Sequence, residues 1–205
     1  MKTWSAEELR SFLEHVRHDR LYALWLVAAT TGARRGELAG LKWDAVDLES
    51  RRISIRRTLI SVGYRIEWSE PKTENGRRSV ALDPTTAEAL RVHRMRQLEE
   101  RLLLGQDYDD NNLVFAREDG APIHPERIST MFGQHVSAAR LPRIRLHDLR
   151  HTHATLALQA GVHPKVVSER LGHADVGLTL NVYSHAIPAL HETAAALVAD
   201  LAIPK

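Results

Sequence analysis

The chain has 205 residues, of which 43% are hydrophobic and 26% are charged. This balance predicts one folded domain with a buried core and excludes a disordered or fibrous protein. The absence of cysteine excludes disulfide bonds, thiolate metal sites and cysteine nucleophiles. The longest apolar run, 21–31, is about half the length that a bilayer requires, and no secretory signal opens the chain. We therefore expect a cytoplasmic protein with no membrane partner.

The basic residues are concentrated rather than in excess. With 28 Lys and Arg against 26 Asp and Glu, the formal net charge is only +2. Two short segments nevertheless hold a cluster of arginines: Arg51, Arg52, Arg56, Arg57, Arg77 and Arg78. Such clustering on a nearly neutral protein is typical of a face that binds a polyanion, although a solvated surface would carry the same residues.

Three helices are predicted in the N-terminal part. Ser5 and Glu8 form a capping box, and the apolar residues that follow recur at helical spacing. A second, nearly all-apolar helix is predicted over 21–31, with Gly32 as its C-terminal cap. A short third helix is expected over 35–41.

From Arg52 the apolar period changes from 3.6 to 2, which predicts strands. The first strand covers 52–59 and places three apolar residues on one face: Ile53, Ile55 and Leu59. A turn at 61–63 leads to a second strand over 64–68, and the Asn75-Gly76 turn leads to a third over 77–82. Together they predict a small three-stranded antiparallel sheet.

The remaining chain is predicted to be helical. Asp83 and Pro84 should begin a long helix. Its apolar face is expected to comprise Ala87, Leu90, Met95, Leu98 and Leu102. Further helices are expected over 125–139, 147–160 and 164–172, around Tyr183, and from Pro188 onward. The predicted fold class is therefore mainly α with a small three-stranded antiparallel β-sheet (α+β).

Four segments carry residues suited to chemistry on a phosphate. They are 31–38 (TGARRGEL), 71–73 (PKT), 147–151 (HDLRH), and 171–173 (LGH) with Tyr183 ten residues on. Taken singly, each residue is more often explained by packing or a surface position than by function.

In this order, the segments resemble the tyrosine recombinase (phage integrase) family. The family pattern of Arg, Lys, His-x-x-Arg, His or Trp, and Tyr corresponds to Arg34, Lys72, His147, Arg150, His173 and Tyr183. The flanking sequences T-G-x-R-x-x-E-L, H-D-L-R-H-T and L-G-H match as well. The resemblance covers essentially the whole chain and implies that 1–205 is the catalytic domain, with the N-terminal core-binding domain absent.

The resemblance implies a site-specific DNA recombinase or integrase, such as that of a mobile element, and the sequence leaves open whether the system is a phage, a mobile element or a chromosomal one. It would cleave and rejoin DNA through a 3′-phosphotyrosine intermediate, without metal, ATP or another cofactor. Tyr183 would be the nucleophile, and Lys72 would protonate the 5′ oxygen that leaves. Arg34 and Arg150 would clamp the phosphate, because guanidinium groups match its oxygens bidentately and keep their charge.

The other site residues would assist. His147 would accept or relay the tyrosine proton, and His173 would hydrogen-bond a phosphate oxygen. Glu37 is expected to orient an arginine rather than to react. Arg35 neighbours Arg34 and could be confused with it, but the flanking match favours Arg34.

The implied partner is double-stranded DNA. The arginines expected to contact its backbone are Arg52, Arg56, Arg77 and Arg78. The family implies a homotetramer on DNA and a monomer when free. The C-terminal helix, 188–205, would dock on a neighbouring protomer as in the family or on its own domain, and the sequence leaves both arrangements open.

Three other functions remain open at this point. His147 and His151 have the i, i+4 spacing of a zinc helix, although Arg150 between them opposes a metal ion. The second is a DNA-binding module without chemistry, such as a regulatory remnant of the same family. The third is a strand-swivelling topoisomerase, in which the same residues would relax supercoils. If Tyr183 is not the nucleophile, the remaining tyrosines are candidates: Tyr22, Tyr64 and Tyr108.

Overall fold

The N-terminal helices begin and end where their capping signals predict. The computed structural model describes residues 2–63, 65–69, 77–173, 175–177, 199–200 and 202. Helix α1 (Ala6–His15) starts with the predicted capping box, in which Ser5 and Glu8 exchange side-chain to backbone hydrogen bonds. Helix α2 (Tyr22–Thr31) ends at Gly32, whose φ of +65° suits a residue without a Cβ.

Helix α2 lies in the centre of the hydrophobic core, as its apolar sequence predicts. Eight of its ten residues are buried. The rings of Trp4, Phe12, Trp25 and Phe132 pack together with neighbouring centroids 5.2–6.2 Å apart. Since Phe132 comes from the C-terminal half of the chain, this aromatic cluster joins both halves in one core.

The strands form two small antiparallel sheets instead of the single predicted one. In the described residues the strands are β1 (Val46–Asp47), β2 (Arg52–Ile55), β3 (Thr58–Val62), β4 (Arg65–Ser69) and β5 (Arg78–Ala81). β2 is the central strand between β1 and β5, whereas β3 and β4 pair as a hairpin. The prediction of one continuous strand over 52–59 is wrong, because the chain leaves the first sheet at Arg56 and Arg57.

The second half of that predicted strand packs on helix α3 (Arg35–Ala39) rather than on the first sheet. Gly36 allows this close approach: a Cβ there would lie 2.5 Å from the Thr58 Cγ2 and 2.7 Å from the Leu59 carbonyl oxygen. Ile53, Ile55 and Leu59 are all buried, as the alternation predicted. The interruption therefore changes the pairing of the strands without changing which face is apolar.

Helix α4 (Pro84–Leu104) begins at the predicted cap, with the Asp83 carboxylate accepting from the Thr86 N–H. Its predicted apolar face is correct only for Ala87 and Leu90. The three later members are exposed, and Leu102 is 82% exposed. Met95 comes five residues after Leu90, so on a helix of 3.6 residues per turn its side chain points about 140° away from that of Leu90. The face continues instead through the buried His93 and Gln97.

The C-terminal helices confirm the predicted spans within one or two residues. They are α5 (Pro125–Ala138), α6 (Leu146–Gln159) and α7 (Pro164–Leu171). Helices α6 and α7 share a small apolar cluster of their own: Ala154, Leu158, Val167 and Leu171. Within the described part of the chain, no helix combines the length and hydrophobicity needed to cross a membrane.

Several predicted features lie outside the described residues. They are Tyr64, the segment 71–76 with Lys72, Tyr183, and the start of the helix at Pro188. In the sequence, this segment lies between β4, which ends at Ser69, and β5, which begins at Arg78.

Candidate active site

Arg150 is a buried arginine at the junction of three helices. It lies on α6, is 4% exposed, and donates from Nη1 to the Gly32 carbonyl and from Nη2 to the Leu171 carbonyl, each at 2.6 Å. These carbonyls are available because α2 and α7 both end there, at Gly32 and Gly172, in the left-handed conformation. The helix ends thus fix the guanidinium of Arg150.

Arg34 reaches the same place from the start of α3. Its Nη2 donates to the Gly172 carbonyl at 3.2 Å, one residue beyond the carbonyl that Arg150 contacts. Its side chain is 40% exposed, so this guanidinium remains accessible to a ligand. Arg35 points elsewhere, with its Nη1 3.2 Å from the Ser129 hydroxyl on α5. The structure therefore places Arg34, and not Arg35, beside Arg150.

Glu37 holds Arg34 in position, as the sequence predicts for an orienting residue. Its buried carboxylate accepts from the Arg34 Nη1 at 2.8 Å and from the Arg34 backbone N–H at 2.7 Å. Burial alone would raise the pKa of Glu37, but hydrogen bonds and charges from Arg78 and then Arg34 lower it to about 2. Glu37 is therefore ionised at neutral pH.

Arg78 occupies a different position from the one we expected. Its side chain is 7% exposed and donates from Nη1 and Nη2 to the two Glu37 oxygens at 2.9 and 2.8 Å. Its Nε donates to the Arg170 carbonyl at 2.6 Å. This position does not match the exposed arginine that we expected to contact the DNA backbone. The reason is strand alternation, because Arg78 lies on the same face of β5 as the buried Val80.

His173 comes directly after Leu171 and Gly172 in the chain. Their carbonyls accept from Arg150 and Arg34, respectively. Burial lowers its pKa first, and the charges of Arg150 and Arg34 add to this effect, so its pKa falls to about 4. At neutral pH the His173 imidazole is uncharged and offers one N–H donor.

His147 lies at the first turn of α6, one turn before Arg150. Its ring is 4.9 Å from that of His151 in an edge-on arrangement. Desolvation and the Arg150 charge lower the pKa of His147, so its imidazole is neutral and able to accept a proton. Among the residues that the structure describes, no group of three metal-ligating side chains is close enough to hold an ion.

The remaining predicted arginines lie on the surface near the first sheet. Arg52 is exposed on β2, where its Nε donates to the Ser79 hydroxyl at 3.1 Å. Arg56 and Arg77 are exposed and line an open hollow of about 470 Å³ together with Arg57. These three predicted contacts therefore face solvent, whereas Arg78, which also lines this hollow, has a side chain that is only 7% exposed.

Sequence reasoning missed a second basic surface. A larger hollow of about 960 Å³ lies between α5 and the start of α6. It is lined by Arg35, Arg143, Arg145 and His147 among other residues. The dense basic sequence around 143–147 was the available signal. That segment alone does not indicate a shared surface with Arg35, which lies more than 100 positions earlier in the chain.

Known proteins resemble this chain over nearly its whole length. The model described as the phage integrase family matches residues 2–189. A tyrosine recombinase XerC-like protein of Caldanaerobacter subterraneus subsp. tengcongensis is 34% identical over 99% of this chain and 55% of its own length. The ICEBs1 integrase of Bacillus subtilis is 30% identical over 92% of this chain and 51% of its own length. The chain thus spans about half the length of these curated relatives.

Solved structures have the same fold. The Tn1549 transposon integrase in complex with circular intermediate DNA gives a TM-score of 0.80 at 26% identity, over 96% of this chain and 67% of that chain. The XerA recombinase gives 0.74 at 27% identity, over 100% of this chain and 66% of that chain. These likenesses confirm the predicted fold class. Since the family model matches nearly every residue, the chain belongs to the phage integrase family.

Proposed function

We propose that this domain cleaves and rejoins DNA strands in site-specific recombination, through a covalent 3′-phosphotyrosine intermediate. The observation that supports this most is the meeting of Arg34 and Arg150 at adjacent carbonyls, beside His173. Preorganised guanidinium groups stabilise the charge that develops on the phosphate oxygens in the transition state. The integrases and recombinases among the relatives, and the Tn1549 integrase solved with DNA, favour a DNA substrate.

In the proposed reaction, the Tyr183 oxygen attacks the scissile phosphorus and forms an O–P bond. The bond from phosphorus to the 5′ oxygen breaks, and Lys72 supplies the proton that the leaving oxygen takes. The proton of the Tyr183 hydroxyl passes to His147. A 5′-hydroxyl from another strand then attacks the phosphotyrosine and gives its proton to Lys72. The bond from phosphorus to the Tyr183 oxygen breaks, His147 returns the proton to that oxygen, and the DNA is resealed in a new connection.

The electrostatics of the described residues suit these roles. His173 is neutral at pH 7 and can donate a hydrogen bond to a phosphate oxygen without adding a charge. His147 is neutral too and can accept the tyrosine proton. Arg34 and Arg150 supply the positive charge, so we propose that the reaction needs no metal ion. It needs no ATP, because the phosphotyrosine retains the energy of the cleaved linkage.

We further propose that 1–205 is the catalytic domain and acts as a tetramer on DNA, with the free domain a monomer. The segment 188–205 would dock on a neighbouring protomer. Deleting it should lower the mass of the DNA-bound assembly and should leave the free domain unchanged, as measured by light scattering. An unchanged assembly on DNA would favour docking of this segment on its own domain.

The experiment that tests the function is a nicked DNA substrate that traps the covalent intermediate. We propose that a mobile element encodes this chain, and the attachment-site junctions of that element supply the substrate. Wild type should give an adduct on a denaturing gel, in the presence of EDTA as well. Tyr183→Phe should give none, and Tyr108→Phe is the matched control.

The outcomes separate the proposal from its rivals. An adduct that persists in Tyr183→Phe would move the nucleophile to another tyrosine, and loss of the adduct in EDTA would indicate a metal enzyme. Binding without any adduct would indicate a module without chemistry. Relaxation of supercoils without joining to an added 5′-hydroxyl strand would indicate a topoisomerase.

A further inference from the structure

Arg78 connects three elements of the site through one buried side chain. It begins β5, its two Nη atoms bind Glu37 on α3, and its Nε binds the carbonyl of Arg170 on α7. Arg170 lies three residues before His173. A planar guanidinium can make these three bonds at once, in directions that a lysine cannot reproduce.

Glu37 is shared between Arg78 and Arg34. Its Oε1 accepts from the Nη1 of each arginine, and its Oε2 accepts from the Arg78 Nη2 and the Arg34 backbone N–H. Two bonds on each oxygen use the acceptor capacity of the carboxylate. The direction in which Glu37 holds Arg34 therefore depends on Arg78.

The charges lead to the same conclusion. One carboxylate with one guanidinium would be a neutral pair, which would weaken the attraction of Arg34 for a phosphate. With Arg78 added, the cluster of Arg34, Glu37 and Arg78 carries one net positive charge, and only Arg34 of the three has a side chain that is substantially exposed. The excess charge is therefore presented to a ligand through Arg34.

We infer that Arg78 is a positioning residue of the phosphate site. It fixes Glu37, and through Glu37 the guanidinium of Arg34, and it ties both to the end of α7 that precedes His173. This inference rests on the proposed function.

The test measures the single-turnover rate of adduct formation on the nicked substrate for Arg78→Lys. Lysine keeps the charge but cannot bind both Glu37 oxygens and the Arg170 carbonyl. We expect a rate about 10- to 100-fold lower, on the order of the loss of one preorganised donor. The Kd for DNA, measured by fluorescence anisotropy, should change less than about threefold, because the Arg78 side chain is buried and its donors are bonded within the protein.

The matched control is Arg20→Lys. Arg20 makes the same set of bonds away from the site, two to Glu100 at 2.6 Å and one to the Ala116 carbonyl at 2.8 Å. It should lose a comparable amount of thermal stability without a lower rate per folded molecule. Equal rate losses in Arg20→Lys and Arg78→Lys would show a general structural effect and overturn the inference.

A double-mutant cycle with Arg34→Lys tests the path through Arg34. If Arg78 acts by positioning Arg34, then Arg78→Lys should lower the rate less than about threefold in the Arg34→Lys background. A full, additive loss in that background contradicts the inference.

If Arg78→Lys does not fold, the pair Glu37→Gln and Arg78→Gln removes both buried charges together and replaces the single variant. This pair should fold and still cleave at least about tenfold more slowly, whereas a wild-type rate would overturn the inference. Failure of wild type to form an adduct would instead reject the proposed function.

Discussion

Arg34 and Arg150 donate to the carbonyls of neighbouring residues, Gly172 at 3.2 Å and Leu171 at 2.6 Å. The C-terminal end of α7 thus orients two arginines that come from different parts of the chain. Their surroundings differ, since the Arg34 side chain is 40% exposed and Arg150 is 4% exposed. The two residues should therefore respond alike in catalysis and differently in stability.

Lysine at either position should lower the cleavage rate by about 100-fold or more, because a lysine cannot bind two oxygens in the fixed geometry of a guanidinium. Arg150→Lys should also lower the free energy of unfolding by about 1–3 kcal/mol, since two buried carbonyls lose their donors. Arg34→Lys should cost about 1 kcal/mol or less. Single-turnover cleavage and urea unfolding measure the two effects.

The comparison of the two variants is itself the control. Equal losses of stability in Arg34→Lys and Arg150→Lys would contradict the different burial of the two side chains. A wild-type cleavage rate in either variant would remove that arginine from the proposed phosphate clamp.

Gly36→Ala should disturb the site without touching any charged residue. The added methyl group would meet the Leu59 carbonyl oxygen at 2.7 Å, so α3 must move away from β3. We expect a loss of about 1–3 kcal/mol in the free energy of unfolding and a cleavage rate at least about tenfold lower, because α3 carries Glu37 and Arg34 is its N-cap residue.

Gly133→Ala is the matched control, since a Cβ at Gly133 would meet no atom within 4 Å. Thermal unfolding and the nicked-substrate assay measure both variants. Similar behaviour of Gly36→Ala and Gly133→Ala would show that the contact between α3 and β3 does not matter for the site.

The stability of the domain should fall as the pH is lowered from about 6.5 toward 4. Burial lowers the pKa of His153 to about 4, with a further contribution from the Arg170 charge. In this pH range the unfolded chain therefore binds a proton at His153 that the folded chain does not, so unfolding becomes easier. The maximum contribution is about 3 kcal/mol.

Urea unfolding at pH 7, 6 and 5 measures this dependence. His153→Gln should reduce the fall in stability between pH 7 and 5, whereas His18→Gln, which changes an exposed histidine, should leave it as in wild type. An identical pH dependence in wild type and His153→Gln would refute the assignment to His153.

DNA binding by this domain should depend steeply on salt, because arginine contacts to phosphates release counterions. Replacing both Arg56 and Arg77 with alanine should reduce the slope of log Kd against log salt concentration by about 2. Fluorescence anisotropy over a range of salt concentrations measures it, with the exposed Arg17→Ala as the control. A slope near zero for wild type would contradict the proposed DNA contacts.

The sequence predicted the local features whose causes are local. The capping box of Ser5 and Glu8, the glycine end of α2 and the spans of α5 to α7 depend on residues a few positions apart. The order of the motifs around Arg34, His147, Arg150 and His173 predicted the family, which the family model confirms. These features are encoded by spacing, and spacing can be measured directly on a sequence.

Only the tertiary structure decided which strand pairs with which and which arginine faces solvent. The chain leaves its first sheet at Arg56 because β3 packs against α3 at Gly36. The sequence of the strand alone does not indicate that contact. Arg77 and Arg78 are adjacent in sequence, yet Arg77 is exposed while Arg78 is buried against Glu37. The physical reason is that both residues carry the same charge, but burial and ion pairing depend on neighbours that folding brings from other parts of the chain.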